Sequence, residues 1–121
     1  MVLINKINWI SKNAQEAEVY LYDGTFELKC FSQPFSLKEG DIINDKLYTY
    51  NTQKIYYSEN KDFYVKKNGS LFEYELCGKI IDKSLNLIKI GEFIIELDIA
   101  FPDDLFEKDY VVIFCERIDI Y

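Results

Sequence analysis

Residues 18–30, EVYLYDGTFELKC, alternate apolar and polar side chains on both sides of Asp23-Gly24. That pattern puts successive side chains on opposite faces of a strand, and Asp-Gly is a strong two-residue hairpin turn. The same arrangement recurs around Asn68-Gly69 in DFYVKKNGSLFEYEL and around Gly91 in LNLIKIGEFIIELD. Tyrosine, phenylalanine, isoleucine and valine dominate these runs, as suits a pleated, half-buried surface. No window of about 11 residues carries a helical stripe. Short helical turns are the most the sequence allows, at SLKEG (36–40) and DDLFEKD (103–109). The expected fold is therefore all-β, with eight or nine short strands in an antiparallel barrel or sandwich.

Two stretches, DGTFELKCFSQPFSLKEGD and IGEFIIELDIAFPDDLFEKD, read as versions of one unit. An offset of 67 residues pairs Gly24 with Gly91, Phe26 with Phe93, Leu28 with Ile95 and Cys30 with Leu97. One inserted residue then aligns Pro34 with Pro102, Leu37 with Leu105, Glu39 with Glu107 and Asp41 with Asp109. Three more bring DKLYTY (45–50) onto ERIDIY (116–121). The apolar members of each set sit at alternate positions and would line one face. The spacing predicts a single domain over 1–121, built from related meanders at 16–50 and 76–121 and joined by a hairpin region at 51–75. Two such units could also close into a barrel of the oligonucleotide/oligosaccharide-binding (OB) kind.

At 121 residues the chain is long enough to bury one core without staples. Its three cysteines, Cys30, Cys77 and Cys115, are far apart and lie in apolar runs. They read as buried thiols, because disulfide frameworks favour even counts and zinc sites favour close pairs. No run of about 18 apolar residues is present, so no membrane span is expected. The opening MVLINKINWISKN lacks the apolar h-region of a secretory signal, which makes the cytoplasm the expected compartment.

Histidine is absent. That removes Ser-His-Asp and Cys-His nucleophiles and histidine-ligated metals together. No phosphate-cradling glycine motif occurs among the five glycines. A protein without catalytic residues, metal or cofactor is expected. The acidic run PDDLFEKD resembles a cation loop in composition but lacks the alternating ligands and central glycine of an EF-hand.

Charge is unevenly placed. Residues 92–121 hold nine acids against Lys108 and Arg117, which equals the chain's whole net charge of −7. Residues 46–67 instead interleave five lysines with tyrosines. Acidic termini speed encounter with basic partners, and exposed tyrosines suit interfaces. The expected function is a protein-interaction module, with an inhibitor or immunity-type protein for a basic partner as its concrete form. Its candidate contacts are Asp103, Asp104, Glu107 and Asp109, with Tyr56 and Tyr57 as a second surface. The alternative is an OB-like domain that binds single-stranded nucleic acid or a small ligand. Overall negative charge disfavours nucleic acid.

Overall fold

The computed structural model describes residues 1–67 and 73–120. The regular elements are strands throughout: β1 (Val2–Ser11), β2 (Glu16–Tyr22), β3 (Glu27–Ser32), β4 (Ile42–Ile43), β5 (Leu47–Tyr57), β6 (Tyr64–Lys67), β7 (Tyr74–Asp82), β8 (Leu87–Ile90), β9 (Phe93–Glu96) and β10 (Tyr110–Ile120). The turn expected at Asn68-Gly69 lies outside the described residues, but its flanks β6 and β7 pair antiparallel, with Tyr64 opposite Cys77.

Five of these strands close into a barrel in the order β10-β5-β9-β8-β7 and back to β10. Closure hides the strand edges that would otherwise template aggregation. The strands β3, β2, β1 and β4 continue the sheet from the C-terminal end of β10, and β6 adds to β7. Alternation supplies the core. Leu76, Ile80, Ile88, Ile90, Phe93, Ile95, Val111 and Ile113 are buried from the barrel strands, and Ala17, Val19, Leu21, Leu28 and Cys30 from β2 and β3. All three thiols are free and buried. Where β7 crosses β8, Gly78 allows contact that no side chain would: a Cβ there would lie 2.8 Å from Ile90 Cγ1 and 3.0 Å from the Lys89 carbonyl oxygen.

The two halves of the chain repeat the same contacts. Ile4 N–H donates to the Asp41 carbonyl at 2.9 Å, and Ile80 N–H to the Asp109 carbonyl at 2.9 Å. Gly40 N–H donates to Ile4, and Lys108 N–H to Ile80. Ladder pairs follow suit, with Leu3 opposite Ile42 and Lys79 opposite Tyr110, then Val2 opposite Ile43 and Gly78 opposite Val111. The β1–β2 and β7–β8 turns each end on a left-handed residue, Gln15 and Asn86. These correspondences begin before residue 16, so β1 and β7 belong to the pattern.

Neither SLKEG nor DDLFEKD is helical. In each, an aspartate side chain accepts a backbone N–H three residues earlier: Lys38 to Asp41 Oδ2 and Phe106 to Asp109 Oδ2, both at 2.9 Å. The aspartate's own N–H returns to the same residue's carbonyl, at 3.1 Å in both turns. The local side-chain bond competes with helix and closes a tight turn instead. That turn needs a left-handed residue, which is Gly40 in the first half and Lys108, at φ 75°, in the second. A Cβ is strained there. Lys108→Gly should therefore stabilise the protein by about 0.5–1 kcal/mol, after allowing for the greater entropy of glycine in the unfolded chain. Thermal unfolding of the variant checks this, and an unchanged or lower melting temperature would contradict it.

The sheet is not wholly antiparallel, as the hairpin pattern had suggested. β10 runs parallel to β3 at Asp119–Phe31 and Ile120–Ser32, and β5 runs parallel to β9 at Leu47–Ile95 and Tyr48–Glu96. The reason is topological. The last strand of each half leaves its own meander and finishes beside the third strand of the other, so β5 and β10 lie antiparallel between them. Turn chemistry encodes only neighbours in sequence and carries no signal for this exchange.

Candidate functional site

The β5–β10 pair carries a cluster of aromatic rings with cations beside them. Its register sets Tyr56 opposite Val112, Lys54 opposite Phe114, Tyr50 opposite Arg117 and Tyr48 opposite Asp119. Tyr56 meets Phe114 edge-on at 6.1 Å between centroids, and the Lys54 ammonium lies 5.8 Å from the same ring. The Arg117 guanidinium stacks between Phe31 at 4.5 Å and Tyr50 at 4.3 Å. Its Nε and Nη2 donate to the two oxygens of Asp119 at 2.6 and 3.1 Å. Asp119 is buried to 3% exposure, so the fork fixes the guanidinium in its stacked position. At the adjoining edge Lys46 bonds Glu96 at 2.7 Å and lies over the Tyr48 ring. That bond raises the Lys46 pKa.

A bulge sets this surface. The register slips between Phe114 and Cys115, and Asn51 turns left-handed at φ 52°. The N–H groups released there are taken by Asp98, which accepts from Asn51 at 2.7 Å and from Thr52 at 3.1 Å. The Thr49 hydroxyl completes the set at 3.1 Å from the same carboxylate. Partial burial works against the charged form of Asp98, but the bonds from Thr52, Thr49 and Asn51 win and lower its pKa.

The acids singled out from the sequence divide. Asp103 and Asp104 are exposed, and their carboxylates make no hydrogen bond or ion pair among the described residues. Glu107 and Asp109 serve their own backbone. Glu107 accepts the Lys83 N–H at 2.9 Å, which holds its carboxyl below the usual range, and Asp109 closes the turn at Phe106. Their counterparts do the same work, since Glu39 accepts the Ile7 N–H and Asp41 that of Lys38. Among the described residues no three acidic or thiol groups converge to hold a metal ion.

The two tyrosines also separate. Consecutive strand residues point to opposite faces, so Tyr56 joins Phe114 while Tyr57 faces away from it. The exposures are 47% for Tyr50, 49% for Tyr56 and 57% for Tyr57, so all three remain open to a partner. Sequence reasoning missed Phe31, Phe114 and the Arg117–Asp119 fork. The available signal was the R-I-D spacing at 117–119, which places the single arginine and a carboxylate on one face of a strand.

Among the described residues, cavities also open away from this pair. One of about 210 Å³ lies between the β4–β5 break and β9, and one of about 230 Å³ lies beside Pro34 and Phe35. No helix among the described residues is long and apolar enough to cross a membrane. Comparison with protein-family models, with curated proteins and with solved structures finds no match to this chain.

Proposed function

We propose that this chain is a non-catalytic protein-interaction module that works in the cytoplasm. Its contact surface is the exposed part of the β5–β10 pair, with Tyr56 beside Phe114 on one face and Tyr50 beside Arg117 on the other. The carrying observation is that two half-exposed tyrosines stand on barrel strands beside rings and an arginine already held in place. Tyrosine and arginine are the residue types that dominate interface energetics, and rigid anchors lose little entropy on binding. Asp103 and Asp104 add a free acidic loop that favours encounter with a basic partner. An inhibitor of a basic protein is the concrete form of this reading. The resemblance between the halves supports an origin by duplication, with both copies kept in one domain.

The order of the barrel favours a second reading. A meander (β7-β8-β9), a parallel step to β5 and antiparallel steps to β10 and back to β7 are the steps expected of an OB barrel whose last strand comes from the earlier half. OB barrels bind oligonucleotides across their second and third strands. Here those are β8 and β9, whose outward residues include Lys89, Ile94 and Glu96 but no ring for base stacking. On the β5–β10 pair and its edge, Lys46 and Arg117 are already paired with Glu96 and Asp119. Phosphates would have to compete with those carboxylates, so the protein reading is preferred.

Affinity capture from cytosolic extract tests it, with three baits: wild type, Tyr50→Ser/Tyr56→Ser, and Asp103→Lys/Asp104→Lys. The expected result is one specific protein on the wild-type bait, lost from the tyrosine variant and reduced on the lysine variant. Capture of nucleic acid, or equal capture by wild type and the tyrosine variant, would overturn the proposal.

A further inference from the structure

Equivalent caps leave different lengths of strand beyond them in the two halves. In the second half, Glu107 accepts the Lys83 N–H at 2.9 Å, one residue past the end of β7. The chain turns there at once, with the Asn86 N–H bonded to the Lys83 carbonyl. In the first half, Glu39 accepts the Ile7 N–H at 3.1 Å, but β1 runs on to Ser11. Its turn closes only at Gln15, whose N–H bonds the Lys12 carbonyl. Left-handed Gln15 stands eight residues beyond the capped Ile7, and left-handed Asn86 only three beyond the capped Lys83. The first half thus carries a strand extension that the second does without. It lies at the end of β1 away from Met1.

The outer edge of this extension has no strand beside it. β4 pairs only with Val2 and Leu3, and the segment leading into β4 touches the edge only at Glu39, Gly40 and Asp41. The Ile7 N–H faces away from β2, toward Glu39. The β1–β2 register holds without a shift from Ile7 to Trp9, so the Ile7 carbonyl and both backbone groups of Trp9 face the same way. None of these three groups has a hydrogen-bond partner among the described residues. Such a row is a template for another strand. Trp9, the chain's single tryptophan, is 39% exposed there, with its ring 6.2 Å from that of Phe35.

Charge selects the occupant. Residues 1–15 contain Lys6 and Lys12 and no acid, in a chain whose net charge is −7. Glu39 already serves Ile7, and Glu16 and Glu18 lie on β2, across β1 from the free edge. A second copy laid antiparallel with Trp9 opposite Trp9 would set Lys6 against Lys12, and like charges directly opposed are unfavourable.

We propose that the edge of β1 at residues 7–11 receives an extended acidic segment of a partner protein as an added antiparallel strand. An apolar residue of that segment lies opposite Trp9 and exchanges both backbone bonds with it. The N–H two positions further on reaches the Ile7 carbonyl. Carboxylates at the alternate positions face the side of β1 that carries Lys6. Backbone bonds supply the affinity of such strand addition, and alternate side chains its specificity. The edge is separate from the β5–β10 pair and does not depend on it.

The test titrates the full chain with an acetylated, amidated peptide of alternating valine and glutamate, followed by Trp9 fluorescence and amide NMR. A saturable change in Trp9 emission and shifts at residues 6–12 are expected. Binding should weaken ~tenfold or more when lysine replaces the glutamates, and likewise when the valine nitrogens, which would face β1, are methylated. No binding at millimolar peptide, equal binding by either altered peptide, or shifts confined to other strands would overturn the proposal. The same shifts on concentrating the protein alone would also overturn it, because a second copy of the chain would then be the occupant.

Discussion

Arg117→Ala should lower the unfolding free energy by about 3 kcal/mol, the largest effect expected of any single polar substitution in this chain. Asp119 is almost wholly buried and receives both arms of the guanidinium. Removing the arginine leaves that carboxylate in a site it shares with the buried Cys30 and Cys115 thiols. Both thiols have raised pKa values, chiefly from burial, with Asp119 adding to each. The rings of Phe31 and Tyr50 lose their shared stacking partner in the same step. Lysine cannot reproduce the planar fork or the double stack, so Arg117→Lys should recover less than half of the loss. Urea unfolding of the two variants checks this. A loss below about 1 kcal/mol for Arg117→Ala would mean that the pair behaves as an ordinary surface ion pair.

Asp98→Ala should cost about 2 kcal/mol and change the acid limb of stability. Its carboxylate satisfies two backbone N–H groups that the β5 bulge withdraws from the ladder, together with the Thr49 hydroxyl. Because the pKa of Asp98 is lower folded than unfolded, its contribution is complete above the unfolded value of about 3.9. The contribution fades as pH falls below that value toward the folded one. The wild type should lose stability more steeply than the variant below about pH 4, with the two curves parallel near neutrality. Parallel curves across the whole range would contradict this. The substitution should also release the bulge at Asn51, and with it the placement of Tyr50.

Hairpin formation was legible in the sequence because its signals are local. Asp23-Gly24 and Gly91 do turn between paired strands, and the alternate residues Leu28/Cys30 and Phe93/Ile95 do enter the core. The pairing of Glu39 with Glu107 and Asp41 with Asp109 was also visible, but its meaning was not. Acids in a charged run look alike in one dimension, and only coordinates separate those that hold backbone N–H groups from the free Asp103 and Asp104. The exchange of β5 and β10 between halves was illegible for a different reason. Parallel contacts such as Leu47–Ile95 join residues far apart in the chain, and no turn residue marks them. The stacked Arg117 escaped notice because its partners Phe31 and Tyr50 come from β3 and β5, which meet only through β10.

Hydrogen exchange on the full chain, free and bound to the captured partner, tests the proposed interface most directly. Slowed exchange is predicted at residues 48–56 and 112–117, with the loop at 103–109 changing little once the complex has formed. Protection confined to 103–109, or spread over β8 and β9 while 48–56 exchange as in the free chain, would contradict the assignment of the β5–β10 pair as the contact surface.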